Sequence, residues 1–321
     1  MIKSWIFEQL NISDDADPVH FDALACSKEY AWRSELWAQA EALGFHGIFF
    51  SEHHFSGLRA CPAPSLFAAW VAARSQHLRI GVLGWVLPLW QPWRFLEQVG
   101  VLDQLSQGRV EIGVARGSSV QEAAAVGIAE VDIVPMYCEA LDILEQAWLN
   151  PCLSYRGRYW SFEQLGMVPR PLQHPSPPIW ATVRSTEAAA EAAKRGHRLC
   201  TGFLDTDAVV RLFDVYREMT GHRYTAERLA IRRCIFVAKT EGRAREHARA
   251  AQAQMPSILD DDIVVGTPAQ VTEQILLQLG RTGAANIVGF FAGHRHDPDA
   301  VRTSCRLFGE YVIPALQAAS V

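Results

Sequence analysis

The chain has no CxxC pair. Its seven cysteines, Cys26, Cys61, Cys138, Cys152, Cys200, Cys234 and Cys305, are odd in number and widely spaced, which disfavours a disulfide framework or a zinc ribbon and suits scattered reduced thiols. Excess basic charge is also missing. The formal net charge is −5, so there is no footprint for nucleic acid. No uncharged run of about 20 apolar residues exists to cross a bilayer, and Met1 to Trp5 is not a charged leader ahead of an apolar signal core. A soluble, cytoplasmic protein without membrane contact is expected. The nucleotide-binding signatures GxGxxG (after the first strand) and GxxxxGK[ST] are absent. No HExxH or carboxylate pair accompanies the histidines, so no metal site is expected.

What the chain does have is apolar residues, 49% of its 321, in short runs that alternate with helical periodicity. Expected strands are Ser4–Gln9, the run Ile48 to Phe50 within Gly44–Phe55, Leu78–Leu83, Arg109–Ala115, Ile179–Val183, His197–Phe203, Leu229–Ala238 and Asn286–Phe291. Four to eight apolar residues between turn signals suit strands buried on both faces of a parallel sheet. Helical spacing separates them: Trp32, Leu36, Ala40 and Leu43 before Gly44, then Leu96, Val99, Leu102 and Leu105 before Gly108, and a closing helix from Asp299 to Leu316. Pro151 to Pro178 is irregular, with a hairpin turn expected at Arg156 to Trp160, and reads as a short insertion after the fourth strand. Eight such strands without a composition break predict α/β architecture, a single (β/α)8 TIM barrel over residues 1–321.

In such a barrel the carboxyl ends of the strands form the active face. The second strand delivers Glu52, His53 and His54 there, costly groups to place beside a core. Adjacent strand residues point to opposite faces, so at most one of the two histidines faces the barrel axis. The third strand delivers Gly84 and Trp85, the fourth Arg116 to Ser119, the fifth Arg184, Ser185 and Thr186, and the eighth His294, His296 and Asp297. An arginine followed by small hydroxyl residues at a helix opening suits an anion. Two such corners on adjacent strands could hold one phosphate, beside an aromatic wall from Trp85, Trp90 and Phe203. Phosphate clamp, flat apolar slot and histidine describe a site for a phosphorylated aromatic cofactor. The same residues admit plainer readings: Arg116 as a barrel-end ion pair, the tryptophans as core, and the histidines as satisfied structural groups.

The segments GFHGIFFSEHHF, LRIGVLGWVLP, LDQLSQGRVEIGVARG, PPIWATVRSTEAAAEAAKRG, VGTP and NIVGFF, in this order and spacing, resemble the bacterial luciferase-like flavin-dependent monooxygenases. The resemblance implies a TIM barrel of that type that uses reduced FMN from a separate flavin reductase and molecular oxygen as co-substrate. It also implies a flavin C4a-hydroperoxide as the oxygenating species, a small, mainly apolar organic substrate, and a homodimer. His53 matches the family's active-site histidine and His54 its neighbour. Leu83–Gly84 matches a non-prolyl cis peptide under the flavin ring, Arg116 a phosphate-binding arginine, and Arg184, Ser185 and Thr186 the second half of the clamp. Ala115 stands where luciferase has a reactive cysteine, Arg184 where it has a glutamate, and the segment between Ala253 and Val264 is far shorter than luciferase's lid, so no light emission is expected. Two other readings remain open: an F420-dependent oxidoreductase on the same barrel, or a non-catalytic flavin-binding protein.

Overall fold

Gly47 can be nothing but glycine. A Cβ there would lie 2.3 Å from the Trp5 ring and 2.6 Å from the Arg79 carbonyl oxygen. Gly81 and Gly113 are pinched in the same way, against the carbonyl oxygens of Glu111 and Val82. These contacts arise because the strands wrap round on themselves and the space inside is filled by a few large rings. A computed structural model of the chain describes residues 1–11, 18–55, 59–255, 260–291 and 297–319.

The barrel starts with β1 (Lys3–Glu8), α1 (Ala23–Gln39), β2 (Gly47–Phe50), α2 (Pro64–Ala72), β3 (Arg79–Val86), α3 (Pro92–Leu105) and β4 (Val110–Ala115). The insertion follows as α4 (Val120–Ala125), α5 (Glu130–Leu149) and the hairpin β5 (Cys152–Arg156) and β6 (Ser161–Gly166). The chain returns through β7 (Ile179–Val183), α6 (Thr186–Lys194), β8 (Arg198–Thr201), α7 (Thr206–Thr220), β9 (Leu229–Val237) and α8 (Glu241–Gln254). It ends with β10 (Ile263–Gly266), α9 (Pro268–Thr282), β11 (Asn286–Phe290), α10 (Pro298–Leu307) and α11 (Ile313–Ala318). Parallel pairing runs β9-β11-β1-β2-β3-β4-β7-β8, and β8 pairs back onto β9. The result is a closed, eight-stranded (β/α)8 TIM barrel.

Alternation along the strands divides two cores. One set, including Ile6, Ile48, Val82, Ile112 and Ile231, packs outward under the helices. The other, including Trp5, Phe7, Phe49, Trp180, Val288 and Phe290, fills the barrel. The amino-terminal end of the interior is sealed by a polar layer. Glu111 accepts from Trp180 Nε1 at 2.6 Å, is paired with Arg79, and meets Arg198 at 3.3 Å, while Trp5 Nε1 donates to Asn286 at 2.9 Å. The hairpin turn falls where the sequence places it. Its backbone N–H groups at Arg158, Tyr159 and Trp160 all donate to Glu139 of α5.

Two elements differ from expectation. Eight strands were expected, but a further short one, β10, follows Asp260–Asp262 and pairs with the second half of β9, which is long enough to serve both the barrel and this extra edge strand. α4 does open after Arg116–Ser119, at the helix opening expected there. The closing helix is broken by a π-helical turn over Phe308–Val312. Pro314, lacking an N–H, cannot complete a regular turn.

Candidate active site

Glu52, just past β2, is buried and collects every donor near it. It accepts from Val86 N at 2.6 Å, from Trp90 Nε1 at 2.9 Å and from His54 Nε2 at 3.1 Å. It ties the end of β2 to the end of β3. The hydrogen bond to Glu52 raises the His54 pKa, against the pull of burial. His54 is therefore spoken for by a structural carboxylate.

His53 turns the other way, as strand alternation requires. Its Nδ1 lies 3.3 Å from Glu122 Oε1, and Arg59 Nη1 approaches Nε2 at 2.6 Å and Nδ1 at 3.1 Å. A guanidinium donates only, so its closer approach to Nε2, with the Glu122 carboxylate beside Nδ1, assigns Nε2 as the acceptor and Nδ1 as the nitrogen that carries the proton. Burial first, then the Arg59 cation, lowers the His53 pKa, while Glu122 works against both. The Glu122 carboxyl is itself lowered. Burial pushes it up, but hydrogen bonds from His53 and from the His54 backbone outweigh that. The arrangement is a neutral imidazole with an orienting carboxylate behind it, able to accept a proton at Nε2 and to stabilise the resulting cation. The backbone holds it too: His53 N donates to Cys61 O at 3.2 Å, and Ala60 N to Leu10 O at 2.8 Å.

Neither Glu122 nor Arg59 is marked as functional by the sequence. Ser119 to Glu122 reads as a capping box, and Ser119 Oγ does accept from Glu122 N. The Glu122 carboxylate, however, goes to His53. Arg59 comes near only because the chain doubles back to bridge Asn11, which no local spacing reveals.

The other expected site residues divide. The Leu83–Gly84 peptide is cis, and a Cβ on Gly84 would lie 2.8 Å from the Val114 carbonyl carbon, so β3 presses on β4 at this point. Trp85 is enclosed. Its indole donates to Ser65 Oγ at 3.2 Å and meets Phe95 edge-on, facing α2 and α3 rather than the barrel axis. The expected aromatic wall at Trp85 and Trp90 is thus turned outward, because the register shift after Val82 puts Trp85 on the helix side. Whatever Trp85 gives a ligand must come from its backbone. Arg116 and Arg184, at the ends of the paired strands β4 and β7, are exposed and form no hydrogen bond or ion pair among the described residues. Ser185 caps α6. The Glu187 carboxyl, in the first turn of α6, is held low by its own backbone N–H and by the Ser185 and Thr186 hydroxyls. Asp297 caps α10, while His294 and His296 lie outside the described residues. No metal-ligating cluster occurs among the described residues, and no described helix is long and apolar enough to cross a membrane.

The family model described as luciferase-like monooxygenase matches residues 20–257. The chain belongs to this family. The uncharacterized protein y4wF of Sinorhizobium fredii is 33% identical over 84% of this chain and 86% of its own length. The oxygenase component of a flavin-dependent trigonelline monooxygenase from Acinetobacter baylyi is 30% identical over 50% of this chain and 45% of its own. The oxygenating constituent of 3,6-diketocamphane monooxygenase from Pseudomonas putida, solved with FMN, shares the fold at a TM-score of 0.78 and 21% identity, covering 98% of each chain.

A flavin mononucleotide fits what this luciferase-like chain presents. Two arginines without partners among the described residues, and the opening of α6 with its Ser185 cap, stand on adjacent strands. The backbone of Leu83–Gly84 lies beside them on β3, with Gly84 pressed against β4.

Proposed function

We propose that the protein is the oxygenase of a two-component, FMN-dependent monooxygenase acting on a small organic molecule, with the flavin reduced by a separate reductase and a homodimer as the working assembly. The observation that carries this reading is His53. It is a neutral, oriented imidazole at the same barrel end as the two free arginines and the cis Leu83–Gly84 peptide. Arg116, Arg184, Ser185 and Thr186 would hold the FMN phosphate, with two guanidinium groups and the α6 opening supplying charge and donors. The Leu83–Gly84 backbone and that of Trp85 would support the flat ring. Bound reduced FMN supplies the activation of molecular oxygen. Around it, the chain's own groups exclude water and manage the proton. Phe203 and Phe290 line one side, and His53 accepts a proton at Nε2 while Glu122 steadies Nδ1. Arg59 must give way for Nε2 to act.

The test is oxygen uptake and flavin reoxidation after mixing protein and reduced FMN with aerated buffer. The expected result is protein-dependent slowing of reoxidation that is lost in His53→Ala. If reoxidation runs at its protein-free rate, the monooxygenase reading fails. Hydride transfer to F420 without oxygen consumption would point instead to the alternative oxidoreductase. FMN binding with no turnover of either kind would point to the non-catalytic one.

A further inference from the structure

Arg232 lies on β9 between Ala230 and Cys234, both members of the interior core. Alternation therefore sends its side chain into the barrel. The guanidinium carbon stands 4.1 Å from the Phe203 ring centroid and 4.7 Å from that of Phe7. Rings cushion a cation but offer no lone pair. Nε is buried without a partner, and Arg232 donates to no described residue. Its neighbours are treated differently. Arg233, facing the helices, is met by Gln278 Oε1, the Leu204 carbonyl and Thr206 Oγ1, and Arg79 and Arg198 deeper in the barrel share Glu111. Cys200, Cys234, Asp262 and Arg184 are the titratable or charged groups that face Arg232. None of them forms an ion pair with it.

Arg232 as a whole is half-buried, but its Nε is shut off from water with no acceptor among the described residues, and such atoms are normally paired. Arg184 of the proposed phosphate clamp is among its neighbours, but strand order sets Arg232 opposite the cis peptide. Three strands separate β9 from β3 in either direction around the barrel, so Arg232 faces the Leu83–Gly84 wall from across the mouth.

We propose that Arg232 is the anion-recognising group of a substrate subsite, and that the substrate is an organic carboxylate whose apolar or aromatic body lies among Phe7, Phe203 and Phe290. A planar carboxylate matches the edge of a guanidinium through two parallel hydrogen bonds, and the rings suit a flat body. Calling this anion the substrate rests on the monooxygenase reading; anion binding at Arg232 does not. The expected mainly apolar substrate becomes an amphipathic one.

Benzoate and benzamide, alike in shape and different in charge, test it by calorimetric titration of the full-length protein, with and without saturating FMN. Arg232→Met and Arg232→Lys are run in parallel, and FMN is titrated into each. The expected result is that benzoate binds the wild-type protein about tenfold or more tightly than benzamide. Arg232→Met should lose that advantage, Arg232→Lys should lose part of it, and FMN affinity should stay within about twofold. The proposal is overturned if benzoate does not bind, if it binds no better than benzamide, or if its affinity survives in a variant that melts like the wild type. It is also overturned if FMN affinity falls together with benzoate affinity, because Arg232 would then serve the flavin. Failure of FMN to bind any of the proteins would remove the flavin reading and leave the anion result standing. If Arg232→Met does not fold, the benzoate-to-benzamide ratio and the Lys variant decide.

Discussion

Adjacent residues at the end of β2 do opposite jobs. Glu52 and His54 turn toward the helices and lock strand ends together, while His53 turns toward Glu122 and Arg59. Glu52→Ala would leave Val86 N–H, Trp90 Nε1–H and His54 without their acceptor. A loss of about 3 kcal/mol is expected, with Glu52→Gln costing less because one oxygen remains; urea unfolding measures both. For His53 the sign of the pH effect follows from its partners. Its folded pKa lies below 6.5, so the neutral, proton-accepting form prevails above that depressed value and activity falls as pH drops through it. Arg59→Met removes a cation that disfavours the imidazolium, and the acid limb of the pH–rate profile should move up. Glu122→Gln removes the group that favours it, and the limb should move down. Limbs that stay in place in both variants would separate His53 from the rate-determining proton. His53 is legible in the sequence as a histidine at a strand end, whereas its two partners are not, since one is disguised as a helix cap and the other arrives by chain reversal.

Strands are more legible than what connects them. β7 is found at Ile179–Val183 with both ends as read from the sequence, because a run between Pro178 and Arg184 has no other use in a parallel sheet. β10 escaped because four residues after three aspartates carry too little pattern, and because β9 hides a second partner in its own length. Trp85 exposes the limit of reading faces by counting. The register shift in β3 reverses the face that plain alternation assigns. Since the indole packs against Phe95 and Ser65, Trp85→Phe should lower stability through the lost hydrogen bond and the smaller ring, yet leave FMN affinity within about twofold. A large fall in FMN affinity, read by flavin fluorescence, would return the indole to the site. Gly113→Ala belongs to the same scale. Its Cβ would meet the Val82 carbonyl oxygen at 2.2 Å, that oxygen is backbone of the paired strand and the Cβ has no rotamer to turn it aside, and a cost of about 1–3 kcal/mol in thermal or urea unfolding is expected from overpacking.

At the scale of the whole molecule, charge is unevenly spent. The chain carries a formal net charge of −5, yet the barrel mouth offers Arg116, Arg184 and Arg232 with no acceptor among the described residues. Some arginines of the body are taken up: Arg33 is held by Glu8 and Glu29, and Arg195 by Asp142, Glu145 and Glu191. Three cations gathered at one barrel end without an acceptor among the described residues raise the potential there and suit an anion. If the FMN phosphate is received by Arg116 and Arg184, each Ala substitution should weaken FMN binding by about tenfold, roughly 1.4 kcal/mol. Because both would meet one phosphate, the double variant should depart from the sum of the two. Raising salt should weaken FMN binding to the wild-type protein more than to the double variant, since exposed charges are screened over about 8 Å at physiological ionic strength. Riboflavin, which has the ring and no phosphate, supplies the control. Its affinity should be indifferent to Arg116, Arg184 and salt. Equal losses for FMN and riboflavin would mean that these arginines support the barrel mouth rather than bind phosphate, and the anion at this end would then be sought at Arg232 alone.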